Sequence, residues 1–180
     1  MAATAALFLC GGRASAQRTM NNQPCVTISY THGFSGHGDS GVDVSFGKYR
    51  MYSLWNAGAA ASLLSCSLGD AGDMRYAQTV AYGEWLWRLW CTRNRLFSIY
   101  AGAGAFLGCE EYDPFGQLPE YIDTGLGKAA FLYGAHAKAQ VEIFVIRKMA
   151  IVLTGTLPVN FTSPIARTNA NIQTGIRMNF

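Results

Sequence analysis

This sequence has little charge. Asp, Glu, Lys and Arg make up only 14% of the 180 residues, while half of all residues are hydrophobic. So apolar a composition usually hides a membrane-spanning helix, yet no run of about eighteen uncharged apolar residues occurs. The basic excess is small as well. A formal net charge of +3, with no run of Lys and Arg, argues against a nucleic-acid-binding surface. The paired cysteine spacing of a zinc site is missing. So are a phosphate loop, a nucleophile elbow and the H-E-x-x-H pattern. His32, His37 and His136 have no Cys or carboxylate at ligand spacing and read as ordinary polar residues. Gly102 and Gly104 lie inside a strand-like run that opens no helix, so they are not a dinucleotide signature. No catalytic, cofactor-binding or metal-binding residue is assigned. The expectation is a non-enzymatic protein without a cofactor.

What is present is alternation. From Asn169 to Phe180 the chain reads NANIQTGIRMNF. Ala170, Ile172, Thr174, Ile176, Met178 and Phe180 fall on one face of a strand, and Asn169, Asn171, Gln173, Gly175, Arg177 and Asn179 on the other. A final strand that ends on a C-terminal Phe resembles the closing strand of a bacterial outer-membrane barrel, and Phe180 is its candidate signal. Thin apolar content spread over many short segments suits that reading, because lipid touches only alternate residues.

The N-terminus points outward from the cytoplasm. AATAALFLC is an apolar stretch, and Ala14-Ser15-Ala16 is an A-x-A cleavage site before Gln17. Residues 1–16 therefore read as a signal peptide. They have no basic residue ahead of the apolar stretch, as a truncated signal would not. Residues 17–180 are left as one barrel domain, of a size that buries a core easily.

Upstream of the closing strand, seven further alternating segments can be traced, at about 25–34, 41–50, 54–67, 74–90, 95–111, 129–145 and 149–161. Their polar faces hold charges of both signs: Asp43, Glu84, Arg88, Lys138, Glu142 and Arg177. Their apolar faces hold essentially none. The fold class expected is all-β: an eight-stranded antiparallel up-and-down transmembrane β-barrel, OmpA- or OmpX-like. A barrel of that size fills its lumen with side chains. The six charged residues are therefore expected to be a structural network of paired charges, since an unpaired buried charge is costly.

Loop lengths alternate in the sense such a barrel requires. The longest connection, about 112–128, is the fifth, and 162–168 is the seventh. Connections four and six, 91–94 and 146–148, are short. Longer external loops and short periplasmic turns are the outer-membrane pattern. The long loop brings Phe115, Glu120, Tyr121 and Asp123 together as a candidate external contact surface. Cys66 and Cys109 fall at the external ends of the third and fifth strands. With one strand between them they sit about 10 Å apart, beyond the ~7 Å reach of a bridge. Cys25 and Cys91 lie at the other end on strands one and four, so four free thiols are expected.

LFSIYAGAGAFLGCEEYDPFG (96–116) and AAFLYGAHAKAQVEIFVIRK (129–148) resemble the TraO family, conjugal transfer proteins of Bacteroides-type conjugative transposons. That family pairs a glycine-rich strand ending in G-x-E with a later FLYG strand. The resemblance runs from about residue 40 to the C-terminus and offers no catalytic residue to carry over. It implies an outer-membrane component of a conjugative DNA-transfer apparatus. The implied partners are outer-membrane lipid and other proteins of that apparatus, with no direct contact to nucleic acid. Two other readings stand beside it: a general small outer-membrane barrel for adhesion or envelope integrity, and a soluble lipocalin-like binder of apolar ligands with its apolar face turned inward.

Overall fold

A strand whose apolar and polar residues alternate presents two unlike faces, and a ribbon of such strands must decide which face it encloses. The computed structural model describes residues 22–33, 39–67, 73–93, 95–112, 129–163 and 168–180, with the side chains of 66, 67, 73 and 74 excepted. It contains β1 (Pro24–Gly33), β2 (Ser40–Tyr49), β3 (Ser53–Ser67), β4 (Asp73–Cys91), β5 (Phe97–Tyr112), β6 (Ala129–Ile146), β7 (Met149–Asn160) and β8 (Asn171–Asn179). These are the expected segments, with bounds moved by a residue or two. The signal-peptide segment 1–16 lies outside the described residues.

Each strand pairs antiparallel with its neighbour in sequence, and β1 pairs with β8, so the sheet closes into a barrel. The seam aligns Cys25 with Asn179, Thr27 with Arg177 and Gly33 with Asn171. Phe180 N donates to Pro24 O (3.0 Å) just beyond it. Closure leaves no unpaired edge, the condition under which β-structure can sit in hydrocarbon.

The two ends of the barrel differ. Short connections at 50–52, 92–96 and 147–148 define one end, together with Pro24 and Phe180. They are tied by local bonds: Arg50 N to Ser53 O (2.7 Å) and Arg95 N to Thr92 O (2.8 Å). Thr92 Oγ1 also accepts from Phe97 N (3.2 Å). Arg95 turns the chain with φ 54°, in the left-handed region. At the opposite end β1, β3, β5 and β7 finish at Gly33, Ser67, Tyr112 and Asn160, and the stretches of sequence to the next strands are longer. We refer to the short-turn and long-loop ends.

The enclosed face is the polar one. Asn56, Glu110, Gln140, Glu142, Arg177 and Asn179 are almost wholly buried, whereas Ile28, Val44, Leu153 and Ile176 are exposed on the outer wall. The soluble lipocalin-like reading is overturned here, because it needs the apolar face inside. Aromatic side chains collect on the outer wall toward both rims. Tyr30, Phe131, Tyr133 and Phe161 are exposed toward the long-loop end, and Tyr52, Trp55, Trp87, Trp90 and Phe180 toward the short-turn end. Such girdles flank the apolar band of membrane barrels.

Among the described residues the strand register shifts at two places, both next to a short turn. The β4–β5 register shifts between Arg88 and Trp90, and the β6–β7 register shifts between Phe144 and Ile146. An extra residue in one strand resets which side its successors face. Leu89 and Trp90 are therefore both exposed, as are Val145 and Ile146.

Candidate functional site: the lumen and its rims

Inward positions along eight strands meet within a few ångströms, so room in the lumen is set by the smallest residues. Gly104 is the clearest case. A Cβ there would stand 2.7 Å from both Glu84 Cβ and His136 Cε1. Its absence lets those two side chains meet. Gly47 does the same lower down, where a Cβ would strike Asn56 Oδ1 at 2.1 Å and approach Cys25 Sγ at 3.0 Å.

The lumen is layered. At the short-turn end Cys25, Tyr49, Leu54, Leu86 and Tyr100 form an apolar plug. On it rests the first ionic layer. Arg177 Nη1 lies 3.1 Å from Glu142 Oε1, with both side chains essentially buried. The Tyr49 hydroxyl donates to the same carboxylate. Arg177 Nε donates to Thr27 Oγ1 (2.7 Å) and Nη2 to Gln140 Oε1 (3.3 Å). The second layer centres on Glu84. Lys138 Nζ lies 2.7 Å from Glu84 Oε2 and His136 Nε2 lies 3.0 Å from the same oxygen, while Asn56 Nδ2 donates to Oε1 (2.8 Å). Lys138 also lies 5.0 Å from the Tyr82 ring centre, a cation–π contact.

Above this layer the lumen holds a cavity of about 80 Å³, lined by both polar and apolar side chains. Thr31, Ser62, Gln78, Asn171 and Gln173 are among its walls, and Lys138, His136 and Asp43 reach it from below. Toward the long-loop rim a buried carboxylate is held by neutral donors. Gln78 Nε2 donates to Glu110 Oε1 (3.1 Å). Tyr112 and Ser163 hydroxyls donate to Oε2, each at 3.0 Å. Nearby, Asp39 Oδ1 accepts from the Ser65 backbone N–H (2.8 Å) and from Ser65 Oγ (2.7 Å).

The structure thus joins Glu84 to Lys138 and Glu142 to Arg177. Asp43 shares the lumen but makes no ion pair within 4 Å among the described residues; it accepts from Ser29 Oγ at 3.3 Å. Arg88 corrects the expected set. It sits at the short-turn rim beside the bulge, where its Nη2 donates to Met51 O (2.6 Å) and its guanidinium lies 5.7 Å from the Tyr52 ring centre. Inward parity was right, but the lumen ends below it. Phe115, Glu120, Tyr121 and Asp123 lie outside the described residues. Cys25, Cys91 and Cys109 are free thiols, whereas the Cys66 side chain is not described.

Sequence reasoning missed His136, Asn56, Tyr49, Gln140 and Glu110. His136 had a signal, since it shares the polar parity of Lys138 and Glu142 on one strand. Among the described residues, no group of three His, Cys, Asp or Glu is placed to hold a metal ion.

Residues 42–180 match the family described as conjugative transposon protein TraO. The chain belongs to that family. The matched region runs through the charged lumen from Asp43 to Arg177 and leaves out β1 and the first two residues of β2. The glycine-rich strand that ends in G-x-E is β5, and its Glu is Glu110 under the long-loop rim. The FLYG segment is Phe131 to Gly134 on β6. There Leu132 is fully buried, and a Cβ on Gly134 would meet Phe106 Cζ at 2.6 Å.

Solved structures similar in fold include outer-membrane barrels and designed transmembrane barrels. The attachment invasion locus protein Ail of Yersinia pestis is similar at 13% identity over 89% of this chain and 100% of that one, with a TM-score of 0.53. The N-terminal β-barrel domain of Pseudomonas aeruginosa OprF is similar at 9% identity, over 89% and 98%, with a TM-score of 0.54. De novo designed transmembrane β-barrels are similar at 10% identity, over 89% and 98%, with a TM-score of 0.50. At these identities the likeness is one of fold. No match was found among curated proteins.

Proposed function

We propose that this TraO-family chain is a non-enzymatic outer-membrane β-barrel that serves the conjugative DNA-transfer apparatus, anchoring it in the outer membrane or meeting its other proteins there. The observation that carries the membrane half is the inverted burial: charged side chains inside, and an uncharged apolar wall with aromatic girdles outside. The family carries the conjugation half.

Several features support a scaffold in preference to a conduit or an enzyme. An apolar plug crosses the lumen at the short-turn end, and the ionic layers above it are already paired. A closed barrel of eight strands fills its interior with side chains and leaves no bore for a nucleic-acid strand. The orientation that fits the loop lengths places the short turns and Phe180 in the periplasm and the long loops outside.

Fractionation of donor cells tests the first half. The chain should appear in the outer-membrane fraction and migrate faster on gels unheated than heated; recovery in the soluble periplasm would refute it. Deletion tests the second half. Transfer frequency should fall while envelope integrity and cell adhesion stay normal. Loss of adhesion or envelope integrity with normal transfer would instead favour a general small outer-membrane barrel.

A further inference from the structure

The three turns of the short-turn end share a feature that the lumen does not explain. Lys48 and Arg50 flank the first, Arg93 and Arg95 the second, and Arg147 and Lys148 the third. Five of these are exposed and Arg95 is half-buried. No Asp or Glu occurs in 47–53, 91–97 or 146–149. Arg88 adds a further cation beside the first turn. The acidic residues, unlike the basic ones, are sorted along the barrel axis, since exposed Arg75 lies on β4 near the long-loop end. Among the described acidic residues, Asp43, Glu84 and Glu142 lie deeper in the lumen, whereas Asp39, Glu110 and Glu111 lie toward the long-loop end, where Asp73 also opens β4.

We infer that this collar binds the phosphates of anionic phospholipid headgroups in the leaflet facing the short turns. This rests on the membrane reading above. The turns follow β2, β4 and β6, so the cations are spread around the perimeter and not gathered on one patch. They also bend onto the outer wall. The Arg50 guanidinium lies 5.4 Å from the centre of the Trp85 ring, an outward-facing residue of β4. The Arg88 guanidinium caps Tyr52, whose side chain is exposed on the same rim. A guanidinium lying over an interfacial aromatic keeps its stem on apolar surface and its charge at headgroup level. Arg matches phosphate with paired donors. An acidic protein docking end-on would need a concentrated face in place of a ring. Basic residues near a charged membrane surface contribute up to about fivefold in lipid affinity each.

The test uses the full barrel refolded into nanodiscs of equal phosphatidylglycerol and phosphatidylcholine. Lipid retained after mild detergent extraction is counted by native mass spectrometry. The native chain should retain phosphatidylglycerol at least about threefold over phosphatidylcholine, the scale expected when a few cations act at the surface. A variant with Lys48, Arg50, Arg93, Arg95, Arg147 and Lys148 all changed to Gln should lose that preference and still show the unheated, fast-migrating band. A second variant, Glu111→Gln at the opposite rim, should keep it. Equal retention of the two lipids by the native chain, or a preference that survives the sixfold change, overturns the inference. Failure of the native chain to insert into either lipid would instead refute the membrane reading. If the native chain shows no lipid preference but an acidic periplasmic protein is retained only by the native collar, the collar is a protein-docking ring and the lipid assignment is wrong.

Discussion

Removing Glu142 should destabilise the barrel severely, and the geometry shows why. Arg177 is 1% exposed and Glu142 fully buried. Glu142→Ala leaves the guanidinium with only neutral partners: Thr27 Oγ1, Gln140 Oε1 and the Tyr49 hydroxyl at 3.4 Å from Nη1. Breaking a buried pair by deleting one partner costs about 3–5 kcal/mol, because the other charge stays unpaired. Tyr49 also loses its acceptor, and an unsatisfied buried hydroxyl adds about 1 kcal/mol. A total near 4–6 kcal/mol is a large part of a typical folding stability of about 5–15 kcal/mol. Urea unfolding in detergent micelles, followed by tryptophan fluorescence, would read it. The four tryptophans lie on the outer wall toward the short-turn end, so their emission reports contact with the micelle. The companion variant Glu142→Ala/Arg177→Met removes both charges and should recover more than half of the loss, since an apolar pair of similar volume is often tolerated at such a site. A single-variant loss below about 1 kcal/mol would mean that water reaches Arg177. No recovery in the double variant would mean that the two charges do not act as a pair.

Three more outcomes follow from the same structure. Gly104→Val should cost about 1–3 kcal/mol by overpacking, because its Cβ would stand 2.7 Å from Glu84 and from His136; unfolding midpoints check this, and an unchanged midpoint would mean that the Glu84 layer is loose. Leu153→Arg, on the apolar wall between the girdles, should cost about 2–4 kcal/mol in bilayers; a variant as stable as the native chain in lipid would show that this wall does not face hydrocarbon. In a folded barrel Cys25 should resist maleimide until urea unfolds the chain, since it is wholly buried in the apolar plug. Rapid labelling of Cys25 in the folded state, measured by mass after digestion, would mean that the plug is open.

Much of the fold was written in period two. The alternation of NIQTGIRMN marks Arg177 as inward and Ile176 as outward, and burial agrees residue by residue. What alternation does not encode is height along the barrel axis. Arg88 has lumenal parity but belongs to the rim, because the strand lengthens past its partners and bulges at the next residue. Pairing is the other gap. Glu84 on β4 meets His136 and Lys138 on β6 across an intervening strand, and only the register and the bare backbone at Gly104 bring them together. Neutral members of the network, such as Asn56 and Gln140, carry no mark in sequence beyond their parity. Glu110 was visible as a motif letter; that it is a buried carboxylate held by three neutral donors depends on Tyr112 and Ser163, which are fixed only once β5 and β7 have been placed.

The seam between β1 and β8 has a consequence for how the molecule is assembled. Every other pairing joins strands adjacent in sequence and can form as a hairpin, the rapid, local kind of contact. The seam joins Thr27 to Arg177, which are 150 residues apart. Until it forms, β1 and β8 each present a row of unpaired amides and carbonyls, and Arg177 lacks its Thr27 acceptor. Assembly therefore divides into a zipper of local steps and a single long-range one, and the growing sheet stays open to pairing with another chain until the last strand arrives. A companion that holds those two edges apart from other chains, then hands one to the other, would act on the slowest step of the barrel's formation.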